Sequence, residues 1–228
     1  MVRKGDFVND GYAQICFPAS VTEIGADAFQ GWTTLKTLVF APSSALARIG
    51  ANAFADSGLC EFVAPAALRF VDHGAFCWCP DLRRAVLNDG LQVLGVNGQM
   101  KTGKRFCGVF EGSGVEEVRL PAGLARLEEN LFTKCKNLKH LALPAGLQEI
   151  APYCVTEAGL EALEVPASVA AIGARAFYNC ANLRKLRIEP GSALQLVGRN
   201  AFGKTALRAE RVQLPNGALV EKDAFDAY

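Results

Sequence analysis

Histidine is nearly missing from this chain, with only His73 and His140 among 228 residues. No Ser–His–Asp or Cys–His set can be argued from their spacing, so the sequence offers no legible catalytic constellation. An excess of charge is missing as well: 24 Lys+Arg stand against 23 Asp+Glu. That balance removes any global reason to expect nucleic-acid or membrane-surface binding. No apolar run approaches the ~20 residues that cross a bilayer, which excludes a transmembrane segment. Paired Cys-x-x-Cys or Cys-x-x-His knuckles are absent, so a zinc site is not indicated. No Asn-x-Ser/Thr sequon occurs, and N-glycosylation is not expected. What remains is an ordinary globular composition, 50% hydrophobic and 21% charged, long enough for one large domain or two small ones.

Self-similarity decides the fold class. Ile24-Gly-Ala-Asp-Ala-Phe29 recurs as Ile49-Gly-Ala-Asn-Ala-Phe54, Val71-Asp-His-Gly-Ala-Phe76 and Ile172-Gly-Ala-Arg-Ala-Phe177. It returns as Val197-Gly-Arg-Asn-Ala-Phe202 and Val220-Glu-Lys-Asp-Ala-Phe225, with looser copies at 127–132 and 150–155. Between these lie short alternating runs centred on Ile15, Leu38, Phe62, Ala85, Val118, Leu141, Leu163, Leu186 and Val212. The steps are 23, 24, 23, 33, 23, 22, 23 and 26 residues, and a period of 20–29 built on L-x-x-L-x-L marks leucine-rich repeats. One such turn cannot bury its own apolar face, so neighbouring turns stack and share a core. Alternation sends Leu38 and Phe40 inward and Thr37 and Val39 outward. Each Phe of the second element is the large core anchor.

The pattern L-P-x-x-L-x-x-I-x-x-x-A-F-x-x-C-x-x-L resembles the BspA-type leucine-rich repeats. It is written almost whole in Leu143-Pro-Ala-Gly-Leu-Gln-Glu-Ile150 and in Val165-Pro-Ala-Ser-Val-Ala-Ala-Ile-Gly-Ala-Arg-Ala-Phe-Tyr-Asn-Cys180-Ala-Asn-Leu183. The resemblance implies a leucine-rich repeat solenoid of about nine right-handed turns. It places a parallel β-sheet on the concave face and short helical or irregular segments on the convex face. Its implied use is protein binding, often in surface adhesins. Residues 1–11 read as a lead-in and 12–228 as the solenoid, with an insertion loop at about 95–107 that accounts for the 33-residue step. The lead-in lacks an apolar h-region and the eight cysteines are scattered, which favours an intracellular setting; the resemblance also allows the cell surface or secretion.

Function is expected on the exposed strand residues. The C-terminal stretch from Arg175 to Arg211 holds eight basic residues against Glu189 and Glu210. It reads either as a docking patch for an acidic surface, by bidentate guanidinium contacts, or as a solvated face kept soluble by charge. The candidate partner-binding residues are Arg84, Arg119, His140, Arg184, Lys185, Arg187, Arg208 and Arg211, with Lys101, Lys104 and Arg105 in the insertion. Gly98-Gln-Met-Lys-Thr-Gly-Lys104 resembles a phosphate-binding loop, but Arg105 stands where Ser/Thr would bind magnesium. Cys79, Cys135 and Cys180 share one repeat position, three after the anchor, which predicts a buried column of thiols rather than metal ligands. No cofactor, catalytic residue or metal is expected. The partner is another protein, with no nucleic acid and no membrane insertion. An end-on contact between subunits is the alternative, because a solenoid exposes its terminal coils.

Overall fold

The computed structural model describes residues 1–95, 107–208 and 212–226. Its coils repeat two kinds of short strand. Those of the first kind are β1 (Gln14–Phe17), β3 (Thr37–Phe40), β5 (Glu61–Val63), β7 (Arg84–Val86), β9 (Glu117–Arg119), β12 (Ala162–Val165) and β14 (Lys185–Ile188). Those of the second kind are two residues long: β2 (Glu23–Ile24), β4 (Arg48–Ile49), β6 (Phe70–Val71), β8 (Val93–Leu94) and β10 (Arg126–Leu127). The same set continues with β11 (Glu149–Ile150), β13 (Ala171–Ile172), β15 (Leu196–Val197) and β16 (Leu219–Val220). Every pairing is parallel and joins one coil to the next, as in Ile15↔Leu38 and Ile24↔Ile49. Among the described residues the nine second-kind strands define nine rungs and so about eight turns.

Of the short helical or irregular segments expected, the irregular kind is found: the segments between the two kinds of strand are turns, and among the described residues there is no helix. Ile-Gly-x-x-Ala-Phe changes direction too quickly for the turns of hydrogen bonding that nucleate an α-helix. Among the described residues, seven of the nine expected strands of the first sheet are present, in three blocks: β1-β3, β5-β7-β9 and β12-β14; the strand expected at Val212 adjoins residues 209–211, which lie outside the described residues. Residues 139–143 and 212–214 take no strand pairing. Leu141 nevertheless stays buried, and Glu161 N–H still donates to the Lys139 carbonyl at 3.0 Å.

The anchor phenylalanines form a spine through the core. Phe29, Phe54, Phe76, Phe110 and Phe132 stack nearly parallel with centroids 5.3, 5.5, 5.7 and 5.6 Å apart. Phe177, Phe202 and Phe225 continue at 5.2 and 5.1 Å. Val155 interrupts the column between the two blocks and is itself buried. Phe110 has no Ile-Gly-x-x-Ala before it in sequence, because residues 96–106 separate it from Leu94; the ring stack restores it to its place.

Beside most anchors the backbone enters the left-handed region two residues before and two after, as at Asp27, Asn52, Asp56, Asn130, Asn179 and Asn200. Asn and Asp tolerate that region better than most side chains. This geometry aims the anchor N–H along the axis, so Phe29 donates to Ala53, Phe54 to Ala75 and Phe177 to Ala201 at 2.7–2.9 Å.

Coils approach so closely that some positions admit only glycine. A Cβ on Gly114 would stand 2.1 Å from the Pro80 carbonyl oxygen, whereas one on Gly123 would meet nothing within 4 Å. We expect Gly114→Ala to cost about 1–3 kcal/mol as the backbone is forced apart. Gly123→Ala should leave stability unchanged or slightly raised. Urea unfolding midpoints separate the two; equal midpoints would contradict the close approach.

Candidate functional site: the strand face and its C-terminal cleft

The outward residues of the first-kind strands stand in register, coil above coil, so a charge on one coil meets the residue about 23 positions later on the next. Arg84 lies between two acids, bonding Glu61 on β5 and reaching Glu117 on β9 at 3.4 Å. Arg83 pairs with Glu116 at 3.2 Å, Lys139 with Glu161 at 3.6 Å, and Arg187 with Glu164 at 3.2 Å. Lys36 donates to Asp81 at 2.8 Å, and that hydrogen bond holds the Asp81 carboxyl below its ordinary range. Arg119 pairs with Asp89 at 2.8 Å. The Asp89 carboxylate is held low chiefly by the Ala122 backbone N–H and then by Arg119. All are solvent-exposed pairs, worth little each, but as a ladder they fix the orientation of the face.

The predicted site residues therefore divide. Arg84, Arg119 and Arg187 are engaged by neighbouring carboxylates. His140, Arg184, Lys185 and Arg208 are exposed and, among the described residues, pair with no carboxylate. Lys101, Lys104, Arg105 and Arg211 lie outside the described residues. The insertion's flanks belong to the far side of the coil: Gly95 follows β8 of the second sheet, and Cys107 precedes the Phe110 anchor.

The structure brings four of the predicted cations to one place. A cleft of about 710 Å³ is lined by Arg184, Lys185, Arg187 and Arg208, with Leu163, Leu186, Leu207 and Val212 as its apolar part. Glu164 is the one carboxylate of the described lining, and Arg187 occupies it. Three cations over an apolar base suit an anionic partner that can also cover apolar surface.

The cysteines divide as well. Cys79, Cys135 and Cys180 are wholly buried, each donating its S–H to the anchor carbonyl of the preceding coil: Phe54 at 3.1 Å, Phe110 at 3.0 Å and Val155 at 3.0 Å. Burial pushes Cys79 up to about 11 and Cys135 and Cys180 up to about 12. Cys154, in place of the small residue before the anchor, is pushed up by the same cause. Among the described residues, no three of His, Cys, Asp and Glu converge as metal ligands.

Sequence reasoning passed over an aromatic and cationic strip beside the anchors. The Lys134 ammonium lies 5.6 Å over Trp78, and Arg175 lies 5.9 and 5.4 Å from Tyr153 and Tyr178.

Stacked parallel coils with a leucine-patterned strand and a phenylalanine-anchored return define a leucine-rich repeat solenoid. The BspA type leucine rich repeat model matches residues 2–98 and 107–227, with six copies, so the chain belongs to that family. Among solved structures, it is similar to a leucine-rich repeat protein from Bacteroides ovatus ATCC 8483 at 20% identity and a TM-score of 0.61, over 86% of this chain and 61% of that one. It is also similar to the leucine-rich repeat protein of T. pallidum at 20% identity and a TM-score of 0.54, over 96% and 88%. The pneumococcal vaccine antigen PcpA matches at 20% identity and 0.50, over 86% and 55%. At these identities the likeness is one of fold. The chain spans about three fifths of the length of the Bacteroides ovatus protein. No curated protein is significantly similar to it. Repeats of this family are in general protein-interaction modules and non-enzymatic scaffolds.

Proposed function

We propose that this chain is a non-enzymatic protein-binding module whose docking surface is the C-terminal part of the strand face, and that its partner presents an acidic surface there. The observation that carries this reading is the contrast along the ladder. Upstream, the arginines of the face are neutralised by acids on neighbouring coils. Around the cleft, Arg184, Lys185 and Arg208 stand exposed with no paired carboxylate among the described residues. Holding like charges together without counter-charges gains nothing for folding, so their use lies in a partner. The upstream ion pairs keep the face rigid, which lowers the ordering cost of binding.

Affinity capture from native lysate, comparing the wild type with R184E/K185E/R208E, tests the reading. The wild type should retain a protein that the variant loses, and recovery should fall steeply with salt. Equal recovery of the same protein by both forms at low salt would overturn it.

A further inference from the structure

The aromatic and cationic strip on the anchor turns has a built floor. Trp78 lays a face of its indole on the next coil, where a Cβ on Gly112 would run into three atoms of the ring. Lys134, one coil further on, returns its ammonium over the same indole. Tyr178 repeats the device: a Cβ on Gly203 of the following coil would meet two of its ring carbons at 3.1 and 3.3 Å. The Arg175 guanidinium is shared between Tyr178 and Tyr153. Trp78 and Tyr153 each remain 40% exposed.

The backbone beneath these side chains speaks against a role in folding. Trp78, Lys134, Tyr153 and Arg175 all hold left-handed backbone, with φ of 56°, 63°, 59° and 56°. Elsewhere beside the anchors that conformation falls to Asp27, Asn52, Asp56 and Asn200, or to Gly74 and Gly112. Asn, Asp and Gly adopt it at little cost, whereas bulky rings and long cationic chains adopt it against their preference. Strain of this kind collects where a ligand uses the side chain.

The cations are also uncommitted. Among the described residues neither Lys134 nor Arg175 pairs with a carboxylate. The Glu157 carboxylate, on the coil between them, is engaged by Lys136 at 3.7 Å. A ring face satisfies the charge of a guanidinium and leaves its in-plane N–H fork open to a carboxylate or sulfate. The backbone N–H groups are already used. Those of Trp78, Lys134, Tyr153 and Arg175 donate to the carbonyls of Glu111, Thr156, Ala174 and Arg199 at 2.8 to 3.1 Å. Recognition here therefore falls to rings and cations, and a peptide strand finds no backbone donors at these residues.

From this arrangement we infer that the strip binds an acidic polysaccharide, a sugar chain bearing carboxylate or sulfate groups. The C–H face of a pyranose is drawn to the electron-rich faces of Trp78 and Tyr153. Its anionic groups are taken by Lys134 and Arg175. These two cations stand two coils apart, about 10 Å along the axis, so the ligand is a chain and not a single sugar. The site goes beyond the docking cleft, since none of these five residues lines it.

The test uses the full chain and its two tryptophans, of which Trp32 is buried and Trp78 exposed. Acrylamide quenching of tryptophan fluorescence is followed with oligogalacturonate, heparin oligosaccharide, neutral cellohexaose or polyglutamate added. At least one of the two acidic sugars should shield Trp78, and cellohexaose and polyglutamate should not. K134N/R175N installs the residue type that other coils carry in this conformation, so it should keep the wild-type urea midpoint. Its affinity for the shielding sugar should fall roughly tenfold or more, as charge-assisted hydrogen bonds are lost. R184Q/K185Q/R208Q, at the cleft, should leave the shielding in place. Lack of shielding by both acidic sugars, or equal shielding by cellohexaose or polyglutamate, would overturn the inference. Undiminished affinity in K134N/R175N, or loss of shielding in the cleft variant, would do the same.

Discussion

Raising the pH from 8 to 10 in a reducing buffer is expected to remove about 5 kcal/mol of unfolding free energy, through four buried thiols at ~1.4 kcal/mol each. Cys79, Cys135, Cys154 and Cys180 are wholly buried, and burial raises all four above the ordinary thiol value of 9.0. The sign follows from proton counting. Unfolding frees these thiols to ionise near their ordinary value, whereas in the fold they hold their protons to about 11 or 12. Above pH ~9 the unfolded chain thus binds fewer protons than the folded one, and stability falls as pH rises. Below pH 8 both states are protonated and the contribution is flat. A domain with a stability of about 5–15 kcal/mol would lose much of it. Chemical denaturation at pH 7.5 and pH 10 measures the change. The same pair of curves for C79A/C135A/C154A/C180A separates the thiols from lysine and tyrosine ionisation. An equal pH dependence in wild type and variant would refute the assignment.

Phe76→Ala should destabilise the protein by roughly 3–5 kcal/mol, the range of a fully buried phenylalanine whose site cannot collapse. Among the described residues its ring touches three others: Phe54 at 5.5 Å, Phe110 at 5.7 Å and Phe62 at 4.5 Å. The coils on either side are pinned by their own backbone ladders, so the cavity stays open. Phe225→Ala, at a half-buried position with one stacked neighbour, should cost clearly less. Repeat proteins couple through nearest neighbours. The effects of Phe76→Ala and Phe54→Ala should therefore be non-additive, and those of Phe76→Ala and Phe202→Ala additive. Equal losses at Phe76 and Phe225 would deny the spine its role.

The repeat was legible because it is written in large apolar residues at fixed offsets. Ile24, Phe29 and Leu35 reappear with little change, and each is buried. Cys79, Cys135 and Cys180 were legible for the same reason, although their donation to the preceding anchor carbonyl was not. Phe110 was missed because an insertion separates it from the rest of its motif, and stacking distance is not a sequence property. The family pattern left helical and irregular segments open, since the turn depends on left-handed backbone at residues as unlike as Asp27, Tyr153 and Arg175.

At the candidate site, basic residues were read as available because they were counted along the chain. The coil period offered the missing signal: Glu61 and Arg84, or Glu164 and Arg187, stand 23 residues apart with opposite charge. Reading acids and bases at that offset would have separated paired from unpaired cations.

The gap at Val155 has a mechanical meaning. A stacked column carries axial load through every joint, and here three run side by side: the first sheet, the second sheet and the aromatic spine. The joints are staggered for most of the length. The second sheet breaks between β8 and β10, where β7 and β9 remain paired and Phe76, Phe110 and Phe132 remain stacked. At the coil of Leu141 and Val155 the first sheet and the spine are both interrupted, and the coil is held by the second sheet, through β10, β11 and β13, and by the anchor backbone bonds from Phe132 N–H to Cys154 and from Val155 N–H to Ala176. Tension along the axis is carried there by fewer joints than on neighbouring coils, as in a wall where two courses break at the same height.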